Sequence, residues 1–445
     1  MVPVLYTALA TAMFFLQDSY FSIGDIELSL KNPCALGIVF LALLNLIVTV
    51  RLGRVMVLVR HSLIQILPFM IPLVFSAAIW VSSGADSTAV LNGVSMVVPQ
   101  LLSVLVAAAT LYLFGEKGIW YCLGAMCAAN FFSVLAVIWE GGAGRFLQEF
   151  CTLLMTFSGE TGPLMVQLES HDITFAFGPF LIYLLLNWKH APRSLFWLVL
   201  TALFFLIGLK RIAVPAVALG FAAAFFLHLL PEKAARQTAL GTAAAMMIVS
   251  FLYIAGIRYG LFSYLEERFQ IETMGRVEMF ANLEPYYDIA FTFMGRGTGF
   301  ERFVDWASGT VYQTPGQTRM PIHNDFLRMY LNVGFVGYWV WLWGWLVARL
   351  RYWFRQGGKD VGCLFLGICV YCFVLYTTDN TIYYPYTLTA CALVPMACGL
   401  DAQAQAALEK RCAQWSRWGG EAPALRSGSE AGGDEIKEKN SLKSA

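Results

Sequence analysis

The sequence predicts an all-α polytopic membrane protein with about twelve transmembrane helices and one large extracytoplasmic loop. Of its 445 residues, 58% are hydrophobic and only 13% are charged, and the mean hydropathy is +0.63. Ordinary water-soluble domains carry roughly 25% charged residues. Many windows of about 20 residues are almost free of charge, and because a chain in lipid must satisfy its own backbone hydrogen bonds, such windows predict spanning helices.

The apolar segments divide into twelve predicted spans. Pro68 and Pro72 lie inside the third span, where neighbouring helices make a kink tolerable. The segment near 140–170 is open to interpretation as an interfacial or a re-entrant piece. The spans are predicted near residues 2–17, 34–50, 63–82, 92–114, 118–139, 171–188, 194–209, 212–230, 238–256, 324–348, 361–378 and 382–400.

The charges of the connections predict the orientation. Alternate connections are basic and carry Arg51, Arg54, Arg60, Lys189, Arg193, Lys233, Arg236, Arg349, Arg351, Arg355 and Lys359. The connections between them are acidic or neutral and carry Asp18, Asp25, Glu27, Asp86, Glu140, Glu149, Glu160, Glu169 and Asp379. Basic connections belong in the cytoplasm. Both termini are therefore expected inside, and the loop 257–322, between the ninth and tenth spans, is expected outside.

The chain divides into a membrane domain, residues 1–401, and a tail, residues 402–445. The tail begins with an expected amphipathic helix, Gln403 to Trp415, and ends in Gly, Ser, Glu and Lys without large apolar residues, which predicts a cytoplasmic and largely disordered segment. The ten cysteines lie mostly in apolar windows, so we interpret them as packing residues. A formal net charge of +1 gives no indication of nucleic-acid binding.

Two adjacent cations, Lys210 and Arg211, separate the seventh and eighth spans on the side where the other connections are acidic or neutral. One interpretation is a turn whose long side chains reach the lipid headgroups. The other is an anion site, because a guanidinium at the outer surface can hold a diphosphate with two parallel hydrogen bonds. The other connections on this side are acidic or neutral, so the presence of two cations here favours the second interpretation.

The large loop contains two further motifs. Gly275-Arg276, followed by Glu278, lies in the stretch 265–282, which is predicted to be partly helical and amphipathic. The second is a turn with alternating glycines, in which the backbone can approach an anion closely. It is a weak nucleotide fingerprint, since it follows no strand–helix unit. The turn consists of Gly295, Arg296, Gly297, Thr298, Gly299 and Phe300.

The third motif, His323-Asn324-Asp325, stands where the loop enters the apolar segment 324–348. A lone interfacial histidine is usually an amphipathic anchor. With a carboxylate and an amide beside it, we favour a general base or a diphosphate ligand. Gly334 and Gly337 are predicted to lie about one turn apart in the same helix and to allow close packing against a neighbour.

In this ordered series the chain resembles the bacterial O-antigen polymerase and O-antigen ligase superfamily, whose members have a large external loop late in the chain. The resemblance covers residues 200–345 by motif and the whole chain by hydropathy. Serine is common in the family at the position of Lys210, and glutamate is common near Asn332. The series consists of Arg211 after a span, Gly275-Arg276, the turn Gly295 to Gly299, His323-Asn324 with Leu327, and Gly334 with Gly337.

The resemblance implies a glycosyltransferase of the bacterial cytoplasmic (inner) membrane that uses an undecaprenyl-diphosphate-linked glycan. Arg211 and Arg276 are expected to clamp the diphosphate and His323 to take the proton of the acceptor hydroxyl, with Glu301 and Asp305 as backup bases. Asn324 or Asp325 would orient the imidazole. Lys210, Arg296, Gly297 and Gly299 are the further substrate-binding candidates. Direct attack would invert the anomeric carbon, and neither a metal nor another cofactor is expected.

Three functions stay open at this stage. The first is polymerisation of O-antigen, capsule or exopolysaccharide repeats, with membrane lipids, a chain-length regulator and a flippase as further partners. The second is a ligase that passes the glycan to a lipid or protein acceptor. The third is a transporter or flippase, which should show internal repeats and polar residues deep in several helices. The sequence shows no clear repeat, and its polarity concentrates in one loop, which disfavours transport. The motifs do not separate polymerase from ligase. We favour polymerisation because ligases are a specialised subset that needs a particular acceptor, and the sequence offers no feature for that acceptor.

Overall fold

The structure is a computed structural model, and it describes residues 1–16, 20–23, 26–49, 51–156, 162–165, 173–187, 194–208, 210–269, 276–305, 310–311 and 322–417. Within these residues the protein is predominantly helical, and every one of the twelve predicted spans lies on a helix. The described helices of the first half are α1 (Val2–Phe15), α2 (Lys31–Thr49), α3 (Leu52–Ser83), α4 (Ser87–Phe114), α5 (Gly118–Gly141), α6 (Ala143–Thr156), α7 (Ile173–Asn187), α8 (Ser194–Ile207) and α9 (Ala213–Leu229).

The second half contains the loop and the helices on either side of it. Its helices are α10 (Glu232–Arg258), α11 (Leu261–Phe269), α12 (Arg276–Leu283), α13 (Asp325–Leu342), α14 (Arg349–Gln356), α15 (Gly358–Tyr376) and α16 (Pro385–Arg417). A π-helical stretch, Trp343–Ala348, joins α13 to α14. Short 3-10 turns occur at Gly115–Lys117, Glu284–Tyr286, Phe300–Phe303 and Thr381–Tyr383.

Six of the described helical stretches are long and apolar enough to cross a membrane. One of them runs through α4, a 3-10 turn and α5, and another runs through α13 and α14. Four shorter apolar helices accompany them: α1, α7, α8 and α9. The six stretches are Lys31–Thr49, Leu52–Ser83, Ser87–Gly141, Glu232–Arg258, Asp325–Gln356 and Gly358–Tyr376.

The helices pack into one bundle around α15 and α16. α15 lies along α9, where glycines allow the backbones to meet: a Cβ atom on Gly220 would lie 2.6 Å from the Gly367 carbonyl oxygen. α16 packs against α4 and α7, and α13 packs against α3. α1 contacts α2 and α5. The beginning of α13 and the turn before α16 are thereby brought together.

Four local features differ from the sequence predictions. Two short antiparallel strand pairs were not predicted: β1 (Tyr20–Ile23) with β2 (Ile26–Ser29), and β3 (Val304–Asp305) with β4 (Thr310–Val311). Gly334 is not helical, because φ 71° and ψ −172° interrupt α13 at that residue. Arg349, predicted in a basic connection, is buried. The helix expected at residues 403–415 is present, but it is continuous with the last apolar helix, because α16 runs as far as Arg417; residues 418–445 lie outside the described residues.

Candidate functional site

The break in α13 at Gly334 determines where the glycine turn (residues 295–299) lies. In a regular helix the Phe335 N–H would donate to the Leu331 carbonyl, but here it donates to the Phe293 carbonyl at 2.8 Å. The carbonyls released by the break accept from the turn instead: Arg296 N–H donates to Leu331 O at 2.8 Å, and Gly297 N–H donates to Asn332 O at 2.9 Å. The turn therefore replaces the missing helical hydrogen bonds.

The glycine turn is also held by α3 and α4. Thr298 N–H donates to Ser76 Oγ at 2.7 Å, and Asn92 Nδ2 donates to the Gly299 carbonyl at 2.9 Å. A Cβ atom on Gly297 would lie 2.5 Å from Trp80 Nε1, so glycine is needed for the close approach. The N–H groups of residues 296, 297 and 298 thus donate within the protein. This arrangement gives the glycines a packing role where we had expected an anion cradle.

A buried charged cluster links the turn to the start of α13. Arg328, only 2% exposed, lies between two carboxylates: its Nη1 is 3.7 Å from Asp325 Oδ1, and its Nε is 3.7 Å from Glu301 Oε1. Its guanidinium also lies 4.6 Å from the centre of the Tyr383 ring. With the Asn332 amide oriented to suit its neighbours, its nitrogen donates to Glu301 Oε2 at 3.2 Å. Asp325 and Glu301, predicted near the chemistry, are therefore buried partners of a cation.

The first turn of α13 is tied to residues 377–384, which we call the Asp379 loop. Asn324 is the N-cap, and its Oδ1 accepts from Leu327 N–H at 3.0 Å. Its amide nitrogen donates to the Tyr253 hydroxyl at 3.1 Å, and that hydroxyl donates to the Thr377 carbonyl at 2.7 Å. Asp325 Oδ2 accepts from Ile382 N–H at 2.9 Å. These bonds fix the position of His323 relative to the loop.

His323 and Asp379 form the core of the candidate site. His323 Nδ1 lies 3.8 Å from Asp379 Oδ1; the histidine side chain is 35% exposed and the aspartate side chain 14%. Burial tends to raise the pKa of Asp379, yet the net shift of this pKa is downward. The groups that lower it are, in order, the His323 side chain, the Asn380 N–H, the Tyr384 hydroxyl and the Lys210 charge. Asp379 is thus an ionised partner for an imidazole that solvent can reach.

Two of the predicted cations converge on the same loop. Arg276, the first residue of α12, donates through Nη2 to the Thr378 carbonyl at 3.2 Å. The Lys210 ammonium lies 5.6 Å from the centre of the Phe175 ring, and that ring stacks on Tyr384 at 5.9 Å. An imidazole, a carboxylate and two cations therefore surround one polar loop. Such a set can bind an anionic group and accept a proton beside it.

The other predicted residues lie elsewhere. Arg211 is exposed, and among the described residues it makes neither a hydrogen bond nor an ion pair with the Asp379 loop. Arg296 donates to the Tyr286 carbonyl at 3.0 Å and lies over the Phe300 ring. Gly275 lies outside the described residues, and the Asp305 side chain lies outside the described side chains.

Sequence reasoning did not identify Asp379 or Arg328 as site residues. Asp379 carried a signal, because Asp379-Asn380 is a short polar interruption between two apolar helices. Arg328 carried one as well, because a cation one turn after Asp325 in an apolar helix needs a partner. Neither signal indicates the partner on another element, His323 for Asp379 and Glu301 for Arg328, since these pairings depend on tertiary packing.

The stability of the cluster can be tested with Arg328→Met. This change leaves Asp325 and Glu301 buried without their cation, so we expect the free energy of unfolding to fall by about 3 kcal/mol. Thermal unfolding of purified protein in detergent measures the loss. Arg236→Met, at an exposed position in α10, is the matched control and should leave the transition nearly unchanged. Equal transitions for the two variants would show that the cluster contributes nothing to stability.

Comparison with known proteins gives no independent assignment. No family model matches the chain, and no curated protein matches it. The described chain is thus a predominantly helical protein with apolar helices compatible with several membrane crossings, and its candidate site is defined by geometry alone.

Proposed function

We propose that the protein polymerises undecaprenyl-diphosphate-linked oligosaccharide repeats by inverting glycosyl transfer. The observation that carries the proposal is the pairing of His323 with Asp379, with Arg276 and Lys210 on the same loop. A glycosyl donor with a diphosphate leaving group needs positive charge at that group and a base at the acceptor hydroxyl. The candidate site supplies both within one polar loop.

In the proposed reaction the acceptor hydroxyl attacks the anomeric carbon while His323 takes its proton. The bond from this carbon to the diphosphate oxygen breaks on the opposite face, so the configuration inverts. Arg276 and Lys210 stabilise the charge on the departing diphosphate, and the exposed Arg211 would approach it from the turn before α9. Asp379 stabilises the imidazolium formed in this step. The transfer is proposed to need no metal, because Arg276 and Lys210 stabilise the charge of the leaving group.

The proposed topology has twelve spans, with both termini in the cytoplasm and residues 257–322 outside the bacterial cytoplasmic membrane. The alternation of basic and acidic connections supports this orientation. It puts the Asp379 loop, between the eleventh and twelfth spans, on the same side as the large loop. The lipid-linked donor would reach this side through a flippase, and a chain-length regulator would act on the growing polymer.

A complementation experiment tests the proposal. Wild type and Arg276→Ala would be expressed in a strain that carries the matching glycan cluster and lacks this gene. Wild type should restore a ladder of surface glycan on a gel, and Arg276→Ala should leave single repeats at equal protein level. Arg268→Ala, at an exposed position in α11 of the same loop, is the matched control and should restore the ladder.

Other outcomes identify the competing functions. Long chains that accumulate on the lipid carrier in the deletion strain would identify a ligase, because the polymer would form but not reach its acceptor. Single repeats that accumulate only on the cytoplasmic side would identify a flippase. Either result would contradict polymerisation as the activity of this site.

A further inference from the structure

A second polar cluster lies inside the helical bundle, beneath the Asp379 loop. Its centre is Arg349 at the start of α14, which is only 7% exposed. Its Nη2 donates to Gln65 Oε1 of α3, and its guanidinium lies 4.9 Å from the centre of the Phe365 ring. Among the described residues, Arg349 forms no ion pair with a carboxylate. The described residues thus give its charge no anionic partner, although a buried cation without one is costly.

Beside Arg349 is a cavity of about 30 Å³, bounded by α3, α13–α14, α15, α16 and the 3-10 turn 381–383. Four polar atoms of its lining are buried and make no hydrogen bond to the described residues: Arg349 Nε, Gln65 Nε2, Thr381 Oγ1 and Thr387 Oγ1. The first two can only donate, and the hydroxyls can donate. The thiols of Cys372 and Cys391 complete a lining rich in donors.

We infer that this cavity binds a small monovalent inorganic anion of the size of chloride. A site for one water needs roughly 10–15 Å³ of such volume, so the cavity has room for a halide but not for a polyatomic organic anion. Water alone would satisfy the donors but would leave the charge of the buried guanidinium unbalanced. An anion satisfies both requirements. This site lies beyond the proposed glycosyl transfer and does not depend on it.

The anion would connect the bundle to the Asp379 loop. Thr381 and Ile382 form part of the cavity wall, and the Ile382 N–H donates to Asp325 at the start of α13. An occupied cavity would therefore hold α3, α14, α15 and α16 together beneath the turn that carries this bond. Because the anion would hold these helices together, its binding should raise the stability of the folded protein.

Thermal unfolding of the full-length protein in nanodiscs tests the inference. The salts compared are sodium chloride, sodium bromide and sodium gluconate at equal ionic strength, because gluconate is too large for the cavity. We expect both halides to raise the Tm of wild type by about 3 °C relative to gluconate. Arg349→Met should remove this difference. Arg351→Met, at an exposed position of the same helix, is the matched control and should keep it.

Two results would overturn the inference. Equal Tm values for wild type in halide and gluconate would show that the cavity holds only water. A halide effect that persists in Arg349→Met would show that the anion binds elsewhere. If Arg349→Met does not fold, Thr387→Val keeps the charge and removes one donor, and it should shift the half-maximal halide concentration upward at least several-fold. An unchanged concentration in Thr387→Val would also count against the site.

Discussion

His323→Ala is expected to lower the rate of glycan transfer by about 10² to 10⁴-fold, the range that a positioned general base contributes. In the proposed reaction the imidazole takes the proton of the acceptor hydroxyl, and no other described side chain next to Asp379 can replace it. The measurement is the initial rate of product formation by purified protein in nanodiscs with a lipid-linked oligosaccharide. The product would be resolved by size on a gel.

The chain provides a matched control for this prediction. His228 and Asp360 form a second histidine–aspartate pair, with His228 Nδ1 3.3 Å from Asp360 Oδ1, and both side chains are more than half exposed. His228→Ala should therefore leave the rate unchanged. Asp379→Asn keeps the shape of the side chain but removes the charge that stabilises the imidazolium, so its rate should fall between those of wild type and His323→Ala. Full activity of His323→Ala would contradict the role assigned to His323.

Gly334→Ala is expected to cause the largest loss of stability from the addition of a single methyl group. At φ 71° and ψ −172° the backbone of Gly334 occupies a region that is essentially restricted to glycine. A Cβ atom there would lie 2.3 Å from the Phe293 carbonyl oxygen and 2.3 Å from the Met294 carbonyl carbon. Both are backbone atoms, so a change of side-chain rotamer cannot relieve the clash. We expect the free energy of unfolding to fall by more than about 4 kcal/mol.

Thermal unfolding in detergent and the yield of monodisperse protein measure this loss. Gly241→Ala is the matched control, because Gly241 lies in α10 with nothing within 4 Å of its added Cβ atom. An exposed helical glycine gains up to about 1 kcal/mol when replaced by alanine. A normal transition for Gly334→Ala would mean that α13 can close its break and run as a regular helix.

Local patterns predicted the helices because hydropathy is a property of each segment by itself. All twelve apolar segments lie on helices. The observed helix ends differ from the predicted ones mainly where polar residues extend a helix, as in α3, which begins at Leu52 and not near residue 63. The break at Gly334 could not be predicted in this way. A glycine in an apolar run fits a helical pattern, and only the return of residues 293–299 to α13 makes the positive φ necessary.

The candidate site was predictable in part for a similar reason. His323, Arg276 and Lys210 were identified by residue type and by position near the ends of apolar segments, and the structure puts all three around one loop. From the sequence, Asp379 served only as one of the residues in acidic or neutral connections that predict the orientation in the membrane. Its pairing with His323 depends on the packing of α13 against the end of α15, and a single sequence carries no record of that contact.

The break in α13 also affects where the lipid-linked substrate would be bound relative to the membrane. Gly334 follows the start of α13 by roughly 13 Å of helix, and the glycine turn bonds to α13 at that point. Residues 297–299 of the large loop are therefore buried between α3, α4 and α13. In the proposed reaction this loop stays anchored to the helices, so the diphosphate is met at the membrane surface, with its isoprenoid chain still solvated by lipid. Extraction of the carrier into water would not be required.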